Sequence, residues 1–416
     1  MKKFEEGLKR FAELAIKTGV NLQKGQGLLL TAPVEASRFA DLVAEAAYKA
    51  GARDVFVDWT DDATSLLRFR YAPLDALEHI PSWKFAVRNE SVQDNYAVLN
   101  IYGPNPDLLK DVDGTRSAAY MKAAGQGLSR YREFLMKDKI QWSLIAYPTV
   151  AWSKKVFPGK PAAEAQERLM EEILRISRVT GRDDPEAAWK EHNKALHAVR
   201  DFLNRQQFKQ LIYRAEGTDL SIDLPEGHIW NGGSSPAETG VEFNANIPTE
   251  EVFTMPHKRG VNGTVAATMP LNYDGQIIDH FSLTFKDGKA VAFKAEKGEE
   301  ALRHLLESDA GARRLGEVAL VPHRSPVSAS GLVFYNTLFD ENASCHLALG
   351  KAYASCIEGG SKMDGAQLDH AGVNDSIVHE DFMVGSAGLD IDGVKKDGTK
   401  TAVFRRGEWA FSFDEA

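Results

Sequence analysis

The hydrophobic pattern changes its period near residue 208, and the two patterns demand different architectures. Before that point, helical repeats alternate with short continuous apolar runs. Phe4, Leu8, Phe11 and Leu14/Ala15 recur at helical spacing, and Gly19 offers a stop before the Gly25-Gln26-Gly27 turn. Residues 28–30 form an apolar run, a helix with Phe39, Leu42, Val43, Ala46 and Ala47 inward follows, and after Gly51 comes the run 55–57. This is a βαβ pattern. Similar runs return at 96–101 and 142–147, so the first half is predicted to build a mostly parallel sheet covered on both faces. Helices are predicted over 162–179 and 185–208, the second entered through Asp184-Pro185, a cap residue followed by proline at the first helical position.

From Leu211 the chain reads as short alternating segments punctuated by Glu216-Gly217, Tyr273-Asp274-Gly275, Asp287-Gly288, Asp392-Gly393 and Asp397-Gly398. The last three are strong hairpin signals. The expectation is an α/β N-terminal domain with a mostly parallel sheet over 1–208 and a strand-rich α+β C-terminal domain over 209–416. A chain of 416 residues, 43% hydrophobic, is long enough to bury a core in each.

Composition narrows the function classes. With 59 acidic against 50 basic residues the net charge is −9, which offers no broad positive field for nucleic acid and points to small molecules or peptides. Two cysteines, Cys345 and Cys356, make no disulfide framework, and a reducing compartment is expected. The start Met1-Lys2-Lys3-Phe4-Glu5-Glu6 meets acids at once, and no apolar run approaches the roughly 18 residues of a membrane helix, so a cytoplasmic location without membrane contact is the expectation.

Common catalytic motifs are missing. Gly385-Ser386-Ala387-Gly388 has the wrong spacing for a serine nucleophile turn, Gly25-Gln26-Gly27 lacks the rest of a phosphate loop, and no Cys-x-x-Cys or His-Glu-x-x-His occurs. A metal site must therefore draw on scattered segments. Four such segments set Glu, His or Asp beside apolar residues: 248–254, 315–320, 339–346 and 377–383. Charged groups embedded in strand-like apolar runs are costly to bury unless paired or bound to metal. His379 and Asp381, two apart, project from one face of an extended strand, with Glu380 on the other. Each feature also has a plainer reading. Glu317 fits a solvated strand position, His346 a structural histidine, the His379/Asp381 pair a hydrogen-bonded couple, and Tyr353 a core tyrosine.

Together these strings resemble the thermophilic-type metallo-aminopeptidases, the family of aminopeptidases T and S. The resemblance spans nearly the whole chain. It is most specific in Asn246-Ile247-Pro248-Thr249-Glu250-Glu251-Val252-Phe253-Thr254, Thr337-Leu338-Phe339-Asp340-Glu341-Asn342-Ala343-Ser344-Cys345-His346 and His379-Glu380-Asp381-Phe382-Met383-Val384-Gly385-Ser386, with Pro148-Thr149-Val150-Ala151-Trp152 as support in the first half. It implies a homodimer whose C-terminal domain carries two divalent metal ions (Zn, Co or Mn) and hydrolyses the N-terminal bond of peptides with a free N-terminus through a metal-activated water. The implied ligands are Glu251, Glu317, His346, His379 and Asp381, with Glu341 and Tyr353 as further ligands or catalytic groups. Glu317 is expected to bridge, Glu251 and His346 to serve one ion, and Glu341, His379 and Asp381 the other. The family commonly has glycine where this chain has Glu250, which makes Glu250 and Glu251 alternatives, with Glu251 preferred by register. Hydrolysis of another amide, and a non-catalytic peptide-binding role, are the competing readings.

Overall fold

The computed structural model describes residues 2–180, 184–273 and 276–411. It divides into two compact units, one made of the chain up to Glu191 with Ser234–Pro248, the other of His192–Gly233 with the chain from Thr249. A single cut near residue 208 does not describe this division. Leu196, Val199 and Leu203, ahead of that cut, belong to the same buried cluster as Leu211, Tyr213 and Trp230 after it.

The first unit holds a four-stranded parallel sheet in the order Asp54–Thr60, Gly27–Pro33, Ala97–Tyr102, Trp142–Ala146. Leu28, Leu29 and Leu30 are successive and all inaccessible, which requires cover on both faces of that strand. Asp54–Thr60 departs from the expected buried run. It lies at the sheet edge, where Phe56 and Trp59 are exposed. The helix Pro185–Gln206 begins as the Asp-Pro step predicts, with the Asp184 carboxylate accepting from the Glu186 and Ala187 N–H groups at 3.0 and 3.1 Å.

The second unit is strand-rich. An antiparallel five-stranded sheet runs His379–Met383, His346–Gly350, Leu315–Leu320, Val252–Thr254, Asn231–Gly232. A nine-stranded sheet is built from hairpins on Gln210–Ala215, Thr218–Asp223 and their neighbours. One buried cluster joins them, with Val318, Leu347 and Phe382 from the smaller sheet and Leu220, Phe281 and Ile391 from the larger. Phe281 and Phe382 lie 5.7 Å apart by ring centroid. Among the described residues no helix is long and apolar enough to cross a membrane.

Hairpins form at Glu216-Gly217, Asp287-Gly288 and Asp397-Gly398. The Asp274 and Gly275 of the Tyr273-Asp274-Gly275 signal lie outside the described residues, between the paired Leu271–Tyr273 and Gln276–Lys286. Asp392-Gly393 is no turn at all. Both residues sit inside the strand Asp390–Val394, paired with Ile212 and Leu211, because the Phe208 ring packs on Gly393 where a Cβ would come within 2.6 Å of it. Tertiary packing overrides the local signal. Gly393→Val should therefore lower the melting temperature through overpacking of about 1–3 kcal/mol, read by thermal denaturation. An unchanged melting curve would show that Phe208 moves aside freely.

Candidate metal centre

The five-stranded sheet has two unlike faces. Phe253 pairs with Ala319, Ala319 with His346, and His346 with Met383; a row further along, Glu317 pairs with Ala348 and Ala348 with Asp381, and Gly350 pairs with His379. Directly paired residues share a side of a sheet. Their alternating neighbours Val318, Leu320, Leu347, Leu349 and Phe382 fill the apolar core on the other side. The sequence periodicity thus delivers Glu317, His346, His379 and Asp381 to one face. Glu251, one residue ahead of Val252–Thr254, joins them from the start of the strand next to Leu315–Leu320.

Between these acids and imidazoles the sheet carries small residues. Ala348 stands between Glu317 and Asp381 in the register and is fully buried, so the long side chains converge over it. Gly350, opposite His379, has φ of +102°, and a Cβ there would come within 2.1 Å of the Val378 carbonyl oxygen. Only glycine lets the outer strand close here.

Two sets of donor atoms form, Glu251 with Glu317 and His346, and Glu317 with His379 and Asp381, each within 4.8 Å of one another. Glu317 belongs to both. Its Oε1 lies 3.5 Å from His346 Nε2 and its Oε2 3.7 Å from His379 Nε2, so its two oxygens serve different partners. His346 Nε2 is also 3.2 Å from Glu251 Oε2, and His379 Nε2 is 3.6 Å from Asp381 Oδ1.

Both imidazoles are fixed from behind. His346 Nδ1 lies 3.2 Å from the Ser344 carbonyl oxygen and His379 Nδ1 lies 2.7 Å from that of Lys351. A carbonyl only accepts, so each Nδ1 carries the proton and each Nε2 faces the carboxylates. In the neutral ring that nitrogen presents a lone pair to anionic oxygens, an arrangement that calls for a proton or a cation between them. Asp381 Oδ1 gives the same indication, being buried without a hydrogen-bond partner among the described residues. This donor set, nitrogen and oxygen with the Ser344 and Lys351 carbonyls orienting the imidazoles, fits divalent metal ions.

The electrostatics follow from crowding. Burial alone would lower the His346 pKa, yet hydrogen bonds to Glu251 and Glu317 hold it well above the ordinary range. For His379, burial is likewise outweighed, here by the charges of Asp381 and Glu317. Burial raises Glu317, partly offset by His346, and burial with the charges of Glu251 and Asp381 pushes Glu341 well up. Tyr353 is raised well above the phenol range by burial and by Glu317 and Asp381, and stays a neutral O–H donor.

The remaining expected residues fall into place differently. Glu250, although buried, lies 3.7 Å from His192 Nε2 rather than with either donor set. Glu341 stands outside both sets and is not on a strand. It opens the 3-10 turn Glu341–Ala343, following the helical turn Thr337–Asp340, because the Asp340 carboxylate binds back to the Phe334 and Asn336 N–H groups at 2.8 and 3.0 Å. Tyr353 packs its ring against His379 with centroids 4.9 Å apart. Cys345 points into the core cluster, where its thiol donates to the Val321 carbonyl at 3.3 Å and burial pushes it up to about 12. Its role is packing. Sequence reasoning passed over Asn342, which is fully buried, accepts from the Glu250 N–H at 2.6 Å and donates to the Leu338 carbonyl at 2.9 Å. It ties the Glu251 segment to the turn bearing Glu341. The signal was available, since an amide among buried apolar residues must find partners.

Comparison with known proteins identifies the family. The family described as Thermophilic metalloprotease (M29) matches residues 4–409, and the chain belongs to that family. It is 54% identical to Aminopeptidase 2 of Geobacillus stearothermophilus over 411 residues, 99% of each chain. Identity to Aminopeptidase AmpS of Bacillus subtilis (strain 168) is 47%, covering 99% of this chain and 100% of that one. The solved structure of wild-type AmpT from Thermus thermophilus superposes with a TM-score of 0.92 at 40% identity, covering 98% of this chain and all 100% of that one.

The raised pKa values set a pH dependence. Glu317, Glu341, His346 and His379 bind protons more tightly folded than unfolded, so their stabilising contribution is complete at low pH. It is lost as pH rises above the ordinary values of 4.5 for the glutamates and 6.5 for the histidines, through the higher folded values. A divalent ion replaces those protons. The melting-temperature gain from added Mn²⁺ or Zn²⁺ over chelator-treated protein should therefore grow between about pH 6 and 8. A gain that shrinks over that range would contradict this reading of the cluster.

Proposed function

We propose that the protein is a cytoplasmic, homodimeric metallo-aminopeptidase that removes the N-terminal residue from peptides with a free α-amine, using two divalent ions (Zn, Co or Mn). The observation that carries this reading is Glu317, whose two carboxylate oxygens turn towards two different donor sets. Glu251 and His346 would hold one ion with it, and His379 and Asp381 the other. Two ions so held would supply a nucleophile at neutral pH and a counter-charge for the developing oxyanion.

The chain's own groups do the rest. Tyr353, a neutral phenol beside His379, donates its O–H to the oxyanion. Glu341, close enough to Glu251 and Asp381 to feel their charge, would take up at its carboxylate the proton released by the attacking water and pass it to the leaving amine. Recognition of the free substrate α-amine, by a metal or by a nearby acid such as Glu341, would account for exopeptidase rather than endopeptidase action.

Hydrolysis of leucine p-nitroanilide, stopped by chelator and restored by one of the three metals, tests the activity. Cleavage of the N-acetylated anilide instead would establish a different amidase. Asp381→Ala and Glu251→Gln should each remove activity and lower the metal content while far-UV circular dichroism stays the same, and Glu250→Gln should be mild. The reverse pattern for the two glutamates would displace Glu251 from the site.

Tyr353→Phe should keep the metal content and lower kcat by about 10²–10³, with KM little changed, as for other removed oxyanion donors. Loss of metal in this variant would make Tyr353 a ligand, and an unchanged kcat would make it only a packing neighbour.

A further inference from the structure

An aromatic line runs beside the ligand cluster. Phe253 lies on the ligand-bearing face, in the register row of Ala319 and His346 and two residues along from Glu251. Its ring meets Tyr353 edge-on at 6.2 Å, and Tyr353 in turn lies 4.9 Å from the His379 ring. Phe253 therefore borders both donor sets. It is also part of an apolar cluster with a buried inner layer, Met255, Cys356 and Ile357 among its members, and a partly exposed outer layer of Phe253, Tyr353, Leu368 and Ala371. These groups cover that buried layer on one side and keep part of their apolar surface accessible next to the buried carboxylates, where it can receive a ligand.

We propose that Phe253, flanked by Tyr353 and Leu368, forms an apolar subsite for the side chain of the substrate's N-terminal residue, which gives the protein a preference for leucine and other large apolar residues there. The inference rests on the aminopeptidase reading. If the α-amine and scissile carbonyl sit at the ligand cluster, the first side chain branches from the atom between them and must lie within about one strand spacing, 4.7–4.9 Å, of that cluster. Around the ligands the sheet offers Ala319, Ala348 and Gly350, which are small, and Met383, which is buried, whereas Phe253 is large and partly exposed. Phe253 is thus a specificity-determining residue, and it leaves the ligands themselves untouched.

The test compares leucine and alanine p-nitroanilides, and separately the binding of leucine and alanine hydroxamates by calorimetry, in metal-loaded wild type and Phe253→Ala. Wild type should favour leucine in both measurements. F253A should narrow each leucine-to-alanine ratio by about tenfold or more, through a larger loss on leucine than on alanine, with metal content kept. Phe253→Val, which retains a strand-forming apolar residue, should narrow the ratios less and serves if F253A does not fold. Ratios unchanged in the folded variants, or a wild type indifferent to leucine against alanine, would overturn the subsite. A wild type that cleaves neither anilide, yet shows the hydroxamate ratio narrowing in F253A, would remove the aminopeptidase reading and leave the subsite standing.

Discussion

Four carboxylates and two imidazoles crowd one side of a sheet whose other side is closed by apolar core, and the rest of the second unit is arranged around that cost. Charges taken out of water cost several kcal/mol each unless matched, so a cluster with surplus acid is stable only with protons or cations among its oxygens. The two protonation-fixing contacts behind His346 and His379 aim both Nε2 atoms into the crowd. A fold selected for stability alone would have replaced Glu317, buried in the centre of a strand of Leu315, Val318 and Leu320, with another apolar residue. Its retention there is a functional statement.

Secondary features hold the crowd in register. Ala348 and Gly350 remove bulk where the ligands meet, and Asn342 binds the backbone just ahead of Glu251 to the turn that presents Glu341. These are residues with no chemistry of their own in the proposed reaction. They determine where the chemically active groups stand, which is how a catalytic geometry is kept to within a fraction of an ångström.

Much of this was legible in the sequence because strand alternation is a strict rule. His379 and Asp381 at a spacing of two had to share a face, and Glu317 amid apolar residues had to be buried, paired or ligating. The parallel sheet of the first unit and three Asp-Gly or Glu-Gly hairpins followed from equally local patterns. What failed was decided by long-range packing. Gly393 is held in a strand by Phe208, the 55–57 run lies in the edge strand of its sheet among the described residues, and Ser234–Pro248 joins a unit that is distant in sequence. Glu341 lies in a helical turn rather than in a strand-like run, and the contact that holds the turn, the Asp340 carboxylate on the Phe334 and Asn336 N–H groups, is not a sequence pattern.

Glu317 belongs to both donor sets, and the proposed two-ion chemistry depends on that sharing. Its most direct test is the metal stoichiometry of dialysed wild-type protein and of Glu317→Gln, measured by elemental analysis and calorimetric titration. Two ions per wild-type chain, with weakened binding at both sites in the variant, is the result expected. A single ion per wild-type chain, or two ions bound with unchanged affinity when Glu317 is replaced, would contradict it.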